Sequence, residues 1–565
     1  MNSRETSVVA MAALRTTRLG MAALRVMRGL GMAALLHASA AGAAAPAAAA
    51  HDPGFAAAPM ASASEARDAN AVRVVRIAFR GNRALPASAL QAVAAPYLMR
   101  ELSSADIEAL RGALTRRYTD AGYVNSRVLV DPDAPYREGV LSFLVVEGRI
   151  ADIRVHGLNG LRPSYVVDRL RGADDEALNT DVLRERLQRL SEDPLFARVS
   201  SRVEPGPDAG EAILDVDVQR ARPYSVSLAL NNYRPPSIGE KAYDISAQAR
   251  DLTGFGDALN ADLSGPIGSS GGVGYGLDGQ LPVGRYGSVA SLSAARINTV
   301  ITEEPLSALD AQSTIERQEF KVTQPVWSTL RQQFNLGASI ADETESTQGG
   351  DLFSLLTGSS EGFTRSLTAR LMPEYSYRSQ QQYLTVRLTL LHADLLDRPP
   401  GAASDAGPDQ SYFVWSGQVH QVWEFAHAPF ELESRAIVQR TDSRISDLHA
   451  LEIGGINSVR GFREDDFLAS NAANFNVDFR WLALRTAASA RPGLTLGTFF
   501  DWAAGHDADE PTDTFSSCGL TFRLKWPHVQ TDLAYGLPLV HPAFVSAEHG
   551  SWQDHGIHVQ IAATL

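Results

Sequence analysis

Asn474-Phe475-Asn476-Val477-Asp478-Phe479-Arg480-Trp481 decides the fold. Every second residue is apolar and each one between is polar or charged, the period of a strand whose two faces meet different surroundings. The alternation recurs in Tyr383-Leu384-Thr385-Val386-Arg387-Leu388-Thr389-Leu390 and in Leu520-Thr521-Phe522-Arg523-Leu524-Lys525-Trp526. Extending the count to both sides predicts sixteen strands of about 10 to 12 residues, starting near Tyr224, Lys241, Gly256, Gly272, Ser288, Ser313, Gln332, Ser366, Gln381, Ser411, Phe430, Ala472, Leu494, Ser516, Val529 and His555. An even number of strands running to the last residue suits a closed antiparallel transmembrane β-barrel, which leaves no backbone group unpaired in lipid. A soluble all-β sandwich is the alternative, but its polar face would look outward and its strands would be shorter.

Composition narrows the classes. No later stretch approaches the ~18 to 20 continuous apolar residues of a membrane helix. The net charge of −14 argues against nucleic acid as a partner, since phosphate attraction needs a basic face. The single cysteine, Cys518, cannot build a disulfide framework; by parity with Leu520 it faces lipid as an inert apolar residue. At the N-terminus no acid lies between Glu5 and Asp52, while Arg15, Arg18, Arg25 and Arg28 precede the apolar run Gly29 to Leu36 and the small-x-small triplet Ala38-Ser39-Ala40. Residues 1–45 therefore read as a signal peptide and the Ala-rich 46–71 as a low-complexity mature N-terminus. Repeats of Met-Ala-Ala-Leu at Met11, Met21 and Met32 leave the start codon open.

Between this leader and the barrel the order β-α-α-β-β is expected twice, over 72–148 and 149–220, each repeat large enough for one small α+β core. Phe79-Arg80-Gly81-Asn82, Gly122-Tyr123-Val124-Asn125-Ser126 and Val146-Glu147-Gly148-Arg149-Ile150 resemble polypeptide-transport-associated (POTRA) domains. That resemblance implies a free strand edge on which an extended chain can pair through its backbone. Two spacers that bind nothing are the alternative.

The remaining 221–565 contain a long connection, about 444–471, with Gly454-Gly455-Ile456-Asn457-Ser458-Val459-Arg460-Gly461-Phe462 inside it. This nonapeptide resembles the lid-loop signature of two-partner-secretion outer-membrane transporters, the TpsB type of POTRA-plus-barrel proteins. A second match, Phe499-Phe500-Asp501, resembles the family's Phe-x-Asp-x-Gly, with Ala503 in place of the glycine. Asp251-Leu252-Thr253-Gly254-Phe255-Gly256-Asp257 and Leu281-Pro282-Val283-Gly284 add to it, so the resemblance runs over about residues 72 to 565. It implies that Val459, Arg460, Gly461 and Phe462 form the lid motif and that Phe499 and Asp501 are its partners on the barrel wall. Parity along Leu494 to Asp501 independently puts Phe499 and Asp501 on the lumen face. An arginine folded into the lumen would match that carboxylate with two hydrogen bonds. For a partly wet lumen the pair is expected to supply on the order of 1 to 3 kcal/mol. Ala503 is expected to limit how closely the loop approaches.

The resemblance further implies secretion, without ATP, of a large exoprotein that is unfolded in transit. Outer-membrane lipid surrounds the barrel, and the barrel-assembly machinery is a partner during biogenesis. The last strand looks like an assembly signal, although it ends in Leu565 where Phe or Trp is usual. An assembly factor of the same superfamily and a solute porin are the alternatives. No cofactor, metal or catalytic residue is expected: the thirteen histidines show no ligand spacing, and Gly272-Val273-Gly274-Tyr275-Gly276 leads into no helix and no phosphate-binding lysine. The exported partner, and any plug helix near the N-terminus, are not legible.

Overall fold

The computed structural model describes residues 71–565 apart from 135, 173–175, 209, 269, 285, 305, 351–360, 398–407, 485–491, 508–510 and 543–549. The readings of 1–45 and 46–71 lie outside the described residues, except for Ala71.

Val72 to Phe79, expected as one strand, is two: β1 (Val72–Val74) and β2 (Arg76–Arg80). The chain breaks at the exposed Val75, because β1 leaves the sheet to pair with β3 (Arg100–Leu102), which lies beyond helix α1 (Ala87–Ala94). Helix α2 (Ser104–Asp120) begins with a reciprocal cap, Ser103 Oγ accepting from the Asp106 amide and the Asp106 carboxylate accepting from the Ser103 amide. Strands β4 (Arg127–Val130), β5 (Tyr136–Arg137) and β6 (Val140–Val146) complete the unit, with sheet order β2-β6-β4 over a core that includes Leu90, Leu110, Leu114, Tyr118 and Phe143. The second unit repeats the plan with β7 (Arg149–His156), α3 (Pro163–Leu170), α4 (Thr180–Ser191), β8 (Phe196–Pro205) and β9 (Glu211–Arg220), in sheet order β7-β9-β8. Asn179, Thr180 and Asn125 tie the two together through hydrogen bonds to backbone carbonyls of the other unit. Asn179 caps α4 by accepting from the amides of Asp181 and Val182 and donates to the Ala121 carbonyl of the first unit at 2.9 Å.

Sixteen strands then close into a barrel. They are β10 (Tyr224–Asn231), β11 (Ala242–Arg250), β12 (Ala258–Pro266), β13 (Gly274–Val283), β14 (Ser288–Val300), β15 (Gln312–Ser328), β16 (Gln332–Gln348), β17 (Glu361–Arg378), β18 (Gln382–Asp397), β19 (Ser411–Glu424) and β20 (Phe430–Arg440). After the small hairpin β21 (Leu451–Ile453) and β22 (Phe467–Ala469) follow β23 (Asn471–Leu484), β24 (Gly493–His506), β25 (Asp513–Lys525), β26 (Val529–Val540) and β27 (Ile557–Thr564). Strands β15 to β18 are 16 to 18 residues long, well beyond the expected length. About 9 to 11 residues cross the hydrocarbon, so these strands stand proud of it. Phe475, Phe479 and Trp481 are exposed toward the lipid side while Asn474, Asn476 and Asp478 are buried inside, as the alternation requires.

The seam is short: β10 meets β27 from Ser227 opposite Thr564 to Asn231 opposite Gln560, and Val226 and Leu565 exchange backbone hydrogen bonds just beyond it. Asn232 lengthens it by imitating a strand residue, its Oδ1 accepting from the Val559 amide (2.7 Å) and its Nδ2 donating to the Ile557 carbonyl (2.8 Å).

Because β10 follows directly on β9, the connections after β11, β13, β15 and β17 lie at the end of the barrel that carries the two α+β units, and they are brief. The turn 251–257 clasps the second unit. Its Gly254 carbonyl accepts from the Arg162 amide, Asp251 pairs with Arg220 at 2.6 Å, and Arg162 stacks on Phe255. At Gly256 (φ +78°) a Cβ would sit 2.2 Å from the Tyr165 ring, which is why glycine stands there. Burial pushes the Asp257 carboxyl up, but hydrogen bonds from Thr253 and from the Leu252 amide outweigh it and hold the group ionised below its ordinary range. The turn is thus braced from within before it touches the module.

Removing residues 555–565 is expected to expose the edges of β10 and β26 to lipid at several kcal/mol per unpaired group. The truncated chain should not accumulate as a heat-modifiable species in the outer membrane. Normal heat-modifiable migration on gels would contradict closure through β27.

Candidate functional site

Residues 441–470 do not project outward from β20 and β23 but fold back along the lumen wall. The root of this segment is pinned first. His449 Nε2 lies 2.8 Å from Glu343 Oε2 on β16, an acceptor, so that nitrogen carries the proton and Nδ1 is left to accept from the Tyr412 hydroxyl at 2.7 Å. Arg370 on β17 neutralises the other oxygen of Glu343 (2.8 Å). Strands β21 and β22 then pair, and the tip between them carries the motif.

The tip is a backbone problem before it is an electrostatic one. Gly454 has φ +113°, and a Cβ on it would lie 2.2 Å from the Arg463 carbonyl. Gly461 (φ +98°) runs directly over Gly536 of β26, where a Cβ would approach the carbon and oxygen of Arg460 to 2.6 Å. Gly556, just before β27, packs on the same spot from the other side, its own Cβ position 2.0 Å from the Gly536 oxygen. Three glycines therefore let lid and wall meet backbone to backbone.

That approach puts Arg460 between two carboxylates. Its Nε and Nη2 donate to Asp501 at 2.8 and 2.7 Å, its Nη1 and Nη2 donate to Asp478 at 2.8 and 3.0 Å, and its own amide donates to Asp501 at 3.0 Å. The guanidinium also lies over the Phe499 ring, 3.7 Å from its centroid. Phe499 can lie flat because Gly519 stands opposite it on β25. Asn476 donates to Asp501 at 2.8 Å and to the Ser458 carbonyl, and Asn474 donates to Ser458 Oγ at 2.9 Å. Asp501 is fully buried and Arg460 only 7% exposed, and a polar cavity of about 440 Å³ lined by Arg460, Asn476 and Asp478 adjoins them. Losing one partner of a buried ion pair costs about 3 to 5 kcal/mol, at or above the top of the range expected for a partly wet lumen.

Val459 and Phe462 point away from the charges into an apolar cluster with Ile453, Ala469, Ala503 and Phe515, and the Phe462 and Phe515 rings meet edge to face at 5.3 Å. Ala503 does not hold the loop off; its methyl is part of this cluster. The close approach is made two residues further on, at Gly505, where a Cβ would meet Ala469 at 2.6 Å. Arg463 forms a second anchor, to Asp554 near the last strand and to Glu303 (3.0 Å). The Glu464 amide donates to the buried Gln553.

The site as read from the sequence comprised Val459, Arg460, Gly461, Phe462, Phe499 and Asp501, and the fold brings all six together. Asp478, Asn476, Gly536, Gly556, Arg463 and His449 were missed. Asp478 and Asn476 share the polar face of the very strand that decides the fold, so inward parity was a signal for them. For Gly536 there was none. Asp478 also lies 3.9 Å from Arg480, which pairs with Glu431 and Glu433, and Glu433 with Arg435, so alternating charges continue down the wall.

The family model described as haemolysin secretion/activation protein ShlB/FhaC/HecB matches residues 210–522, and one described as POTRA domain, ShlB-type, matches 72–148. The chain is 23% identical to the outer membrane transporter CdiB of Escherichia coli over 84% of its own length and 80% of CdiB. It is 23% identical to the heme/hemopexin transporter protein HuxB of Haemophilus influenzae over a shorter match, 34% of each chain. The solved structure of CdiB from Escherichia coli superposes with a TM-score of 0.69 at 18% identity, covering 90% of this chain and 93% of that one, which speaks for the fold.

Gly536→Val is expected to unseat the lid while leaving strand pairing and the lipid face untouched. The variant should migrate as a folded barrel yet show a higher resting conductance in planar bilayers than the parent. An unchanged conductance would mean that the glycine contact does not hold the lid.

Proposed function

The chain belongs to the haemolysin secretion/activation protein family ShlB/FhaC/HecB, and from that membership we propose that its periplasmic modules capture one large exoprotein, whose passage requires the Arg460 lid to leave the lumen. It is an outer-membrane transporter of the two-partner-secretion type with POTRA domains ahead of its barrel. The finer reading rests on one observation: a guanidinium held by two carboxylates at 2.7 to 3.0 Å inside the barrel, on a loop that the strands do not need for their own pairing. Such a loop has two stable positions, docked and withdrawn. Cargo that competes for the lumen wall biases the second.

Capture falls to the α+β units, because each has a sheet with outer strands, β2 and β4 in one and β7 and β8 in the other, whose backbone can accept an extended chain. The driving force comes from outside the cell, where the emerging exoprotein folds and cannot return. Residues 1–45 act as a signal peptide, and the barrel-assembly machinery inserts the chain.

Arg460→Ala is expected to leave the amount of folded transporter nearly unchanged. Exoprotein in the medium should fall at least about tenfold, since 3 to 5 kcal/mol removed from the docked state shifts the lid by roughly two to four orders of magnitude and uncouples it from cargo. The cost falls on the docked state because Asp478 and Asp501, left without a cation, are hydrated once the lid departs. Asp501→Ala should be milder, as Asp478 still holds the guanidinium. Arg460→Lys should rescue poorly, an ammonium being unable to fork between two carboxylates. Wild-type secretion by Arg460→Ala, measured beside folded transporter in the membrane, would sink the reading.

A further inference from the structure

Below the barrel rim, between α3 and α4 of the second module and the periplasmic ends of β14 to β16, lies a notch of about 710 Å³. Its module side carries four arginines, Arg169, Arg171, Arg186 and Arg189, against Asp168 and Asp193, while Glu176 and Glu185 pair with Arg186 and Arg189 from its edge. Its barrel side is the outer, lipid-facing wall, with Gln324, Val326, Trp327 and Tyr286. Val326, Trp327 and Tyr286 are 60, 47 and 68% exposed, and above them Phe320 and Val322 continue an apolar track along β15. The notch is preformed. Glu185 of α4 accepts from the Leu330 amide of the turn after β15 (3.0 Å), and the turn 251–257 fixes the other side of the module.

Three of the arginines are committed in part. Arg169 donates to the Tyr165 carbonyl and stacks on that ring, Arg186 donates to Glu176, and Arg189 is 3.5 Å from Glu185. Arg171 is exposed and has no ion pair among the described residues. An arginine-lined head-level recess, flanked by tryptophan and tyrosine and continuous with an apolar wall, has the chemistry of a phospholipid: phosphate in the recess, glycerol beside Gln324, acyl chains along β15.

We propose that this notch binds the phosphate headgroup of a phospholipid from the periplasmic leaflet, fastening the second module to the membrane surface. The proposal rests on the outer-membrane reading. A bound lipid bridges module and barrel, so it stiffens the platform on which cargo is presented beneath the lumen.

The test uses the full chain in detergent, analysed by native mass spectrometry with phosphatidylglycerol, with diacylglycerol, which lacks the phosphate, and with inorganic phosphate as competitor. The wild-type chain should retain phosphatidylglycerol and not diacylglycerol, and inorganic phosphate should not displace it. Arg171→Glu/Arg189→Glu should weaken retention by about tenfold or more, whereas Arg171→Lys/Arg189→Lys should preserve it. If the charge-reversed chain lacks heat-modifiable migration, Arg171→Gln, which breaks no ion pair among the described residues, serves instead and should weaken retention several-fold. Equal retention by the Glu or Gln variants overturns the proposal. So does equal retention of diacylglycerol, which would leave only an aromatic rim, or displacement by inorganic phosphate, which would mark a free-anion site. A chain that fails to insert into phosphatidylcholine vesicles would instead overturn the outer-membrane reading, a separate result.

Discussion

Hydrocarbon offers no partner to a backbone amide, and the rest of this molecule follows from that constraint. Sixteen strands can satisfy it only by closing on themselves, β10 to β27, and closure turns the alternation along each strand into an inside and an outside. With Phe475, Phe479 and Trp481 turned to lipid, Asn474, Asn476 and Asp478 have nowhere to go but inward. A lumen lined in this way is crowded with groups that need partners. Asp501, fully buried, cannot remain ionised on an unanswered wall without a large desolvation cost, and Arg460 supplies the answer.

The loop that carries Arg460 rests on a wall whose geometry strand pairing sets without it. Strand pairing holds Asp478 and Asp501 in register on neighbouring strands, with Asn476 directly opposite Asp501, so the acceptor fork exists before the loop arrives. Glycines 461, 536 and 556 remove the side chains that would keep backbones apart, and the Val459 and Phe462 cluster supplies non-directional adhesion beside the directional pair. Arg463 and His449 repeat the logic at either side of the motif, each a cation or imidazole meeting a carboxylate carried by another element. Moving the loop off the wall would break several of these contacts together.

The α+β units are fixed to their neighbours as well. Asn179 joins the first to the second, and the turn 251–257 joins the second to the barrel through Arg162, Arg220 and Tyr165. Both aspartates at the ends of that turn fold it on itself, Asp257 through Thr253 and Asp251 through the Gly256 amide, and Asp251 also reaches across to the module. The sheet edges of the second unit are in this way held at a fixed place beneath the barrel.

The sequence by itself determined the number of strands, the face that each side chain would take, the repeat of two α+β units and the position of the lid motif. All of these depend on residues near one another in the chain: period two is a property of a single strand, and a capping or turn residue acts within a few positions. It also put Phe499 and Asp501 on the same side as a loop rich in glycine and carrying Arg460. Only the tertiary structure decided that Arg460 would be shared with Asp478, that Ala503 would be packed against the lid while Gly505 took the close approach, that Val72 to Phe79 would break so that β1 could meet β3, and that β15 to β18 would outrun the membrane. Which wall residue lies under a folded-back loop is set by strand register and barrel closure, contacts between residues as far apart as Gly461 and Gly536 or Asn232 and Val559, and no local period encodes them.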